Sequence, residues 1–384
     1  MTVVAVAGGV SAADAAGKNK TEMSMIRLKG GNCLVALVGA FFLFLTYVLW
    51  FSDRAKTEAD RFLAEVPVDL ANVLSYCIMA AEDGGRAVVG VHRQKQLEAQ
   101  SKGKTREGAE EFVTRADLIS NRLIVDKLNH FHGLKMVSEE KTAVSDEEVE
   151  PYQQNPFYHS LTMAGKHELE KLKTRTVPLE KLVVWIDPLD ATQEFTEDLL
   201  DYVTVMVCGA VEGRATFGVI HRPFQNETIW GVVDHGVFWH GFRPTSPLPE
   251  VTPAPKIVVS RSHAADVAKV ASGAFGERLA VEPAGGAGYK TLRVLNFTAA
   301  LYMHTSAIKK WDLCAADALT RAAGGLFVSL KGESLSYEAP KQKLDALHAD
   351  GVFASIIRPY SLLSTIQKAM PQPRTTTASP PNGQ

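Results

Sequence analysis

The chain has 384 residues, of which 46% are hydrophobic and 22% are charged, and its formal net charge is −2. This composition is ordinary for a globular protein, and the length is sufficient for one large domain or for two. The nearly neutral charge argues against a general nucleic-acid binder, although a basic pocket for an anionic ligand would not show in such an average.

The N-terminal part of the chain predicts a membrane anchor. Residues 1–32 are rich in Ala, Gly, Ser and Lys without apolar periodicity, which indicates a disordered tail. Residues 33–51 contain no charged side chain, and a helix of this length spans roughly 28 Å, close to the thickness of the hydrocarbon core of a bilayer. The alternatives are a buried core helix and a cleaved signal peptide. We favour a transmembrane signal anchor because no small-residue cleavage site follows Phe51.

The orientation of this predicted anchor depends on weaker patterns. The flanking basic residues are Lys18, Lys20, Arg27 and Lys29 before the span, and Arg54, Lys56 and Arg61 after it. This small excess favours a cytoplasmic N-terminus. Asn226 and Asn296 each begin a glycosylation sequon, and glycosylation requires a lumenal location. The combined prediction is a single-pass type II membrane protein whose larger part is lumenal.

From about residue 60 the pattern becomes that of a folded domain in two halves. Residues 60–243 predict an α+β subdomain, with an apolar strand at residues 182–186 and an antiparallel meander over residues 203–240. Five prolines between Pro244 and Pro255 mark a boundary. Residues 256–370 predict an α/β subdomain, and residues 371–384 form a Pro/Thr/Ser-rich tail that we expect to be disordered. The expected fold class is therefore α/β.

The four cysteines, Cys33, Cys77, Cys208 and Cys314, lie far apart in the sequence. They show neither a CxxC motif nor the Cys/His spacing of a zinc site. Buried free thiols are the favoured interpretation, because unpaired cysteine is among the most often buried residue types. A single disulfide is left open.

The strongest chemical signal lies where the apolar strand ends in Asp187 and a second carboxylate, Asp190, follows three residues later. In α/β folds, ligands bind at the carboxyl ends of strands, and the N–H groups of a helix that starts there can hold an anion. Carboxylates beside an anion require a bridging cation, and oxygen ligands favour Mg²⁺ over zinc. The alternative is that Asp187 is a turn residue and Asp190 is a helix N-cap.

Three further segments place acidic residues at the ends of predicted elements. Glu139 and Glu140 follow a strand-like segment, Asp312 opens an apolar helix, and Asp117 lies near the start of another helix. Each of these is by itself more typical of a solvated loop or of a helix N-cap. Their spacing in the sequence does not show that the segments converge.

Together these segments resemble the inositol monophosphatase superfamily, whose members are lithium-sensitive, Mg²⁺-dependent phosphatases. The matching blocks are residues 114–117, 138–140, 187–192 and 311–312, and the resemblance covers roughly residues 65–365. It implies a layered αβαβα sandwich, with an α+β half followed by an α/β half. Residues 258–263 and 284–290 further resemble the nucleotide-binding blocks of the bisphosphate nucleotidases of this superfamily.

The resemblance implies hydrolysis of 3′-phosphoadenosine 5′-phosphate to AMP and phosphate in the Golgi lumen, where sulfation reactions release this nucleotide. The alternative within the family is an inositol mono- or polyphosphate phosphatase. It is less favoured because Ala191 replaces the glycine that is usual in those enzymes. The alternative of another class is a catalytically inactive, membrane-tethered binding protein. It is disfavoured because every matching metal-ligand position is retained.

The resemblance also implies roles for single residues. Two or three Mg²⁺ ions would be bound by Glu139, Asp187, the carbonyl group of Leu189, Asp190 and Asp312. Thr192, paired with Asp117, would orient and deprotonate the attacking water, and the N–H groups of Ala191 and Thr192 would hold the scissile phosphate. The AMP portion would be held by Ser260, His263, Gly286 and Lys290, with Lys290 at the 5′-phosphate. The implied partners are a small nucleotide and a membrane, with a homodimer as a possible assembly.

Overall fold

The computed structural model describes residues 38, 41–52, 54, 67–95, 97–104, 110–141, 143–153, 163–172, 175–239, 256–261, 264–276 and 279–370. The chain divides into two compact units, Met1–Phe62 and Leu63–Gln384. In the first unit, residues 41–52 are helical and exposed. Within the described residues, no helix is long and apolar enough to cross a membrane. Residues 33–37, 39 and 40 of the predicted span, and both predicted tails, lie outside them, so the anchor stays a prediction.

The second unit combines helices and strands throughout. In chain order its helices are α1 (Leu70–Gln94), α2 (Arg115–Leu128), α3 (Asp146–Val149), α4 (Met163–Glu170), α5 (Thr192–Thr196), α6 (Ala264–Phe275), α7 (Ala287–Leu295), α8 (Lys310–Ala322) and α9 (Pro359–Ala369). Its strands are β1 (Pro67–Asp69), β2 (Gln100–Lys104), β3 (Glu110–Val113), β4 (Lys135–Ser138), β5 (Thr176–Pro178), β6 (Leu182–Asp190), β7 (Thr204–Val211), β8 (Arg214–Arg222), β9 (Glu227–Val232), β10 (Gly236–Trp239), β11 (Lys256–Ser260), β12 (Ala280–Ala284), β13 (Leu301–His304), β14 (Ile308–Lys309), β15 (Leu326–Ser329), β16 (Leu347–His348) and β17 (Val352–Ser355).

The larger sheet has six strands in the order β10-β9-β8-β7-β6-β4. Strands β7 to β10 form the predicted antiparallel meander, β6 is antiparallel to β7, and β4 lies parallel to β6. All nine residues of β6 are buried because both faces of the strand are covered. Val184 and Ile186 pack into one apolar cluster with α1 and α2, whereas Val183 and Trp185 pack into another with α8. The continuous apolar run of β6 therefore reflects a strand buried on both faces.

The smaller sheet has five strands in the order β12-β11-β13-β17-β15. Helices α7 and α8 lie between the two sheets, and α6 and α9 cover the outer face of the smaller sheet. The layers are thus helices, six-stranded sheet, helices, five-stranded sheet and helices, which is a mixed α/β sandwich. Both sheets belong to one compact unit. The predicted boundary at residues 244–255 lies outside the described residues.

A disulfide joins the larger sheet to the middle helical layer. Cys208 on β7 and Cys314 on α8 are bonded, and both are buried. The interpretation of these two residues as free thiols is therefore wrong, and the disulfide that the sequence left open is present. They are 106 residues apart, so only the packing of α8 on β7 reveals the pairing. Cys77 is a buried free thiol, as predicted, and Cys33 lies outside the described residues.

Candidate active site

The segment from Asp187 to Asp190 contains a β-bulge at the end of β6. Asp187 pairs with Met206 and Asp190 pairs with Thr204, so three residue steps on β6 face two on β7. Pro188, which has no N–H group, lies inside the bulge. Because alternate residues of a strand share a face, Asp187 lies on the same face as Trp185 and is directed toward the layer that contains α8.

Three carboxylates from separate elements meet at this point. Single carboxylate oxygens of Glu139, Asp187 and Asp312 all lie within 4.8 Å of one another. Glu139 follows β4, the parallel neighbour of β6, and its N–H donates to the Ile186 carbonyl at 3.2 Å. Asp312 lies in the first turn of α8. Parallel pairing of β4 with β6 and the packing of α8 therefore bring together residues that the sequence separates.

The charges of this carboxylate cluster oppose one another. Burial raises the pKa of Asp187 well above its usual range, and Glu139, Asp190 and Asp312 raise it further. The pKa of Asp312 is raised by burial and by Glu139 and Asp190, while Lys309 and Lys290 lower it in part. Uncompensated buried carboxylates are costly, and a bound cation removes that cost. Because every donor is an oxygen, the cluster fits a hard divalent cation.

Asp190 lies beside this cluster but has partners of its own. Its Oδ1 atom accepts a hydrogen bond from Ala287 N at 3.0 Å, and its Oδ2 atom accepts from Gly288 N at 2.8 Å and from Thr204 Oγ1 at 2.9 Å. Asp190 therefore binds the N-terminus of α7, where free N–H groups favour a negative charge. Asp190, which is an expected metal ligand, therefore also connects β6 to residues 284–290, which are expected to bind nucleotide.

Lys102 is a neighbour of the cluster that sequence reasoning missed. Its Nζ atom donates to Glu139 Oε1 at 2.6 Å and to Glu140 Oε1 at 2.5 Å. Burial alone lowers the pKa of Lys102, but Glu139 and Glu140 outweigh it and hold the pKa above its usual range. The polar segment around Lys102 carries no signal of this contact, because Lys102 and Glu139 are 37 residues apart in the sequence.

The structure also brings Thr192 and Asp117 together. Thr192 Oγ1 lies 3.1 Å from Asp117 Oδ1 and 3.0 Å from the Leu189 carbonyl oxygen. Asp117 Oδ2 accepts hydrogen bonds from the N–H and the hydroxyl of Thr114, which makes Asp117 part of the capping box of α2. Burial raises the pKa of Asp117 to about 7, although the bonds from Thr114 lower it. Asp117 is therefore a helix-capping residue and also a neighbour of the Thr192 hydroxyl, and its catalytic role stays a prediction.

Two backbone positions shape the edge of the site. Ala191 has φ +70°, in the left-handed region that glycine prefers. Ala191 therefore adopts at some strain a backbone conformation that glycine would adopt freely. Gly286 has φ +62°, and a Cβ atom there would lie 2.7 Å from Asp190 Oδ2. The close approach of residue 286 to Asp190 requires glycine.

The residues expected to hold AMP differ in how accessible they are to a ligand. Ser260 is half-buried, and its Oγ lies 2.9 Å from Nδ1 of His304, a residue the sequence did not single out. Lys290 is buried and donates to the carbonyl groups of Gly286 and Ala284. It therefore holds the 284–290 turn, and the structure gives its Nζ no exposed position for a phosphate. His263 lies outside the described residues.

Comparison with known proteins identifies the family. The sequence model of the inositol monophosphatase family matches residues 69–365. The chain belongs to the inositol monophosphatase family. Its relatives include the Golgi-resident adenosine 3′,5′-bisphosphate 3′-phosphatase of Mus musculus, 43% identical over 74% of this chain and 79% of the relative. They also include inositol monophosphatase 3 of Xenopus tropicalis, 38% identical over 83% of this chain and 85% of the relative.

Solved structures of family members share the fold. The extragenic suppressor protein suhB of Bartonella henselae is 16% identical, with a TM-score of 0.57 that covers 78% of this chain and 100% of that chain. The Thermotoga maritima inositol monophosphatase is also 16% identical, with a TM-score of 0.55 over 78% of this chain and 98% of that chain. At these identities the likeness shows the fold alone, which is the layered α/β sandwich described above.

Proposed function

We propose that this chain is a Mg²⁺-dependent phosphomonoesterase that hydrolyses 3′-phosphoadenosine 5′-phosphate to AMP and phosphate. The convergence of Glu139, Asp187 and Asp312 within 4.8 Å, in a chain of this family, carries the proposal of a metal-dependent phosphatase. The substrate is supported by relatives named Golgi-resident adenosine 3′,5′-bisphosphate 3′-phosphatase, including those of Mus musculus and Homo sapiens, each 43% identical.

The metal would be held by Glu139, Asp187 and Asp312, with Asp190 and the Leu189 carbonyl group as further ligands of two or three ions. When bound, Mg²⁺ supplies Lewis-acid chemistry: it acidifies water and neutralises the charge that develops on the leaving oxygen. The protein's own contribution is to hold these oxygens at one strand edge. The bulge at Asp187, the turn of α8 at Asp312 and the end of β4 at Glu139 do so.

Thr192 and Asp117 would receive the proton of the attacking water. The Thr192 hydroxyl can donate to Asp117 Oδ1, 3.1 Å away, which leaves its lone pairs to accept from water. A general base is most effective when its pKa lies near the working pH. The pKa of Asp117, raised by burial to about 7, meets this requirement. The N–H groups of Ala191 and Thr192 would hold the scissile phosphate, as the resemblance implies.

The AMP portion would lie against the end of β11 and the start of α7, where Ser260 and Gly286 are located. Lys290 would act through the 284–290 turn that it holds by its bonds to Gly286 and Ala284, and His263 stays a proposed contact. Asp190, which accepts from the amides of Ala287 and Gly288, would link nucleotide binding to the metal ligands.

A Golgi membrane location with a lumenal catalytic unit is part of the proposal. Its support is the Golgi-resident name of relatives and the exposed positions of Asn226 and Asn296, which suit glycosylation. The single transmembrane anchor at residues 33–51 and a homodimer are expected from the sequence and its resemblance.

The proposal is tested by phosphate release from 3′-phosphoadenosine 5′-phosphate and from inositol 1-phosphate, each with Mg²⁺, with EDTA, and with Mg²⁺ plus Li⁺. We expect metal-dependent, lithium-sensitive release chiefly from the nucleotide. Release from neither substrate by the folded protein would overturn the proposal and favour an inactive binding protein.

Inositol phosphate is the second candidate substrate. Relatives named inositol monophosphatase 3 match the chain at 38–43% identity, similar to the nucleotide phosphatases. Faster release from inositol 1-phosphate than from the nucleotide would establish this alternative and leave the metal site unchanged.

A further inference from the structure

A cleft lies at the end of the six-stranded sheet remote from the carboxylate cluster, beside the turns that join β7 to β8 and β9 to β10. Its volume is about 350 Å³. Three arginines line it, Arg175 before β5, Arg214 at the start of β8 and Arg321 in the last turn of α8. Apolar side chains, among them Leu70 and Val211, complete its walls. We call this space the arginine cleft.

The arginine cleft is separate from the candidate active site. Val211, in its lining, pairs with Leu182 at the start of β6, five residues before Asp187. Five residues of strand span about 17 Å. Along α8, Arg321 follows Asp312 by nine residues, which is about 14 Å of helix. A ligand in the cleft would therefore contact none of the proposed metal ligands.

The cleft holds more positive than negative charge. Asp234 is its one acidic lining residue among the described residues. Neither Arg175 nor Arg214 forms an ion pair within the described part of the chain. Glu212 is paired with Lys181 at 2.5 Å, and Arg214 lowers the pKa of Glu212 further by its charge, so Arg214 is only in part compensated. The charge of Arg321 is partly balanced by Asp317, whose Oδ1 lies 3.8 Å from Arg321 Nη1.

Two of the guanidinium groups are held against the walls of the cleft. Arg175 Nη1 donates to the Val233 carbonyl at 3.4 Å, and Arg321 Nη1 donates to the Ala215 carbonyl at 3.1 Å. Each guanidinium has five N–H donors, so most of its donors are left for a ligand. Arginine is well suited to this, because its planar fork matches the oxygen pairs of phosphate and sulfate.

We propose that the arginine cleft binds an oxyanion, a phosphate or sulfate group, through Arg175, Arg214 and Arg321. The group could come from the free inorganic ion or from a monoester. The volume of the cleft and the apolar walls formed by Leu70 and Val211 provide room and contact for the organic part of an ester. The proposal does not depend on the substrate of the candidate active site.

The test is titration calorimetry of the full chain in neutral detergent with Mg²⁺ present. Inorganic sulfate and phenyl sulfate are the probes, because phosphate is a product of the proposed reaction and would bind there. Arg175→Gln/Arg214→Gln removes two of the guanidiniums. Arg93→Gln/Arg358→Gln is the matched control, because it removes the same charge from two exposed arginines outside the cleft. Arg214→Gln alone, at an exposed hairpin position, serves if the double variant does not fold.

We expect sulfate affinity to fall at least about tenfold in the cleft variant and to stay within about twofold in the control, with phosphatase activity unchanged in both. Tighter binding of phenyl sulfate than of sulfate would identify an ester as the ligand, and equal binding would identify the free ion. The absence of saturable binding in the unsubstituted chain, or equal affinity in the chain and the cleft variant, would overturn the proposal.

Discussion

Asp187 and Asp190 lie three residues apart but have different surroundings because the bulge in β6 separates them. Asp187 faces Glu139 and Asp312, and the negative charges of both raise its pKa. Asp190 is satisfied by the amides at the start of α7 and by Thr204. Asp187 accepts a hydrogen bond from Leu189 N at 3.2 Å but otherwise faces like charges, so we expect it to need a cation more than Asp190, which accepts three hydrogen bonds.

Removal of the Asp187 carboxylate should be the most damaging single change to activity. We expect Asp187→Ala to lose at least ~10³-fold in phosphate release, of the order that removal of one strong electrostatic element costs. Asp317→Asn is the control, because Asp317 is also a buried aspartate on the interior of the fold but lies outside the carboxylate cluster. A folded Asp187→Ala protein with near-normal turnover would contradict the site assignment.

A substitution at Gly286 would introduce both backbone strain and a side-chain collision, and a comparison with Gly276 separates the two effects. Gly286 and Gly276 have the same φ of +62°, but a Cβ at residue 286 would lie 2.7 Å from Asp190 Oδ2, whereas none of the described atoms lies within 4 Å of a Cβ at residue 276. We expect Gly276→Ala to cost about 1 kcal/mol of stability without loss of activity. Gly286→Ala should cost more and reduce nucleotide hydrolysis.

Denaturant titration and phosphate release on the two glycine variants measure this difference. Equal stability and equal activity of Gly286→Ala and Gly276→Ala would show that the approach of residue 286 to Asp190 has no functional role.

At the level of elements, α8 joins several features of the molecule. It carries Asp312 in its first turn, Cys314 in the disulfide to β7, the buried Asp317 and, in its last turn, Arg321 of the arginine cleft. The strand β7 to which it is bonded also pairs with the bulge of β6. The disulfide thus fixes α8 on the strand next to Asp187.

Loss of the disulfide should destabilise the fold more than loss of a buried thiol. A bond that closes a loop of about 100 residues contributes about 2–5 kcal/mol. We expect Cys208→Ala/Cys314→Ala to lose stability in that range, and Cys77→Ala, which truncates a buried free cysteine, to lose about 1 kcal/mol. Urea titration of both proteins compares the losses, and a double variant no less stable than Cys77→Ala would contradict the prediction.

The elements were predictable where one pattern dominates. The apolar run of β6, the alternation of β7 to β10 and the amphipathic α8 are all visible in the sequence, because burial sets each pattern. The disulfide and the position of Lys102 were not predictable, since both depend on pairing between distant elements. Asp187 and Asp190 suggested a metal site by their own spacing, whereas Glu139, Asp312 and Asp117 were connected with it only through the resemblance to a family. Their convergence results from the β4–β6 pairing and the packing of α8.

For the whole molecule, Asp317 makes stability depend on pH. Burial raises its pKa to about 7, and Arg321 lowers it only in part. Among the described residues, the buried Tyr337 also faces Asp317. Because the pKa is higher in the folded state than in the unfolded state, the folded protein binds this proton more tightly. The contribution of Asp317 to the free energy of unfolding therefore falls between about pH 4 and pH 7 and is constant above.

Asp317→Asn should remove this dependence. We expect the variant's free energy of unfolding, minus that of the unsubstituted protein, to be larger at pH 8 than at pH 5 by about 2–3 kcal/mol, which means that the variant gains relative stability as the pH rises. Denaturant titrations of both proteins at both pH values, with Mg²⁺ in all samples, measure this difference. Contributions from the metal ligands are the same in the two proteins and cancel. If the two proteins differed in free energy of unfolding by the same amount at pH 5 and at pH 8, the raised pKa of Asp317 would be contradicted.

Whether Cys208 and Cys314 are bonded in a given preparation depends on the redox conditions under which the chain folded. Disulfides form in oxidising compartments and not in the reducing cytosol. Cys208 and Cys314 are almost completely buried, so an oxidant reaches them readily only before α8 packs on β7. A chain that completes folding in a reducing environment would enclose two thiols, and later exposure to air would oxidise them only after local opening. Protein expressed in the cytosol should therefore contain the two thiols, and protein expressed through the secretory pathway should contain the disulfide.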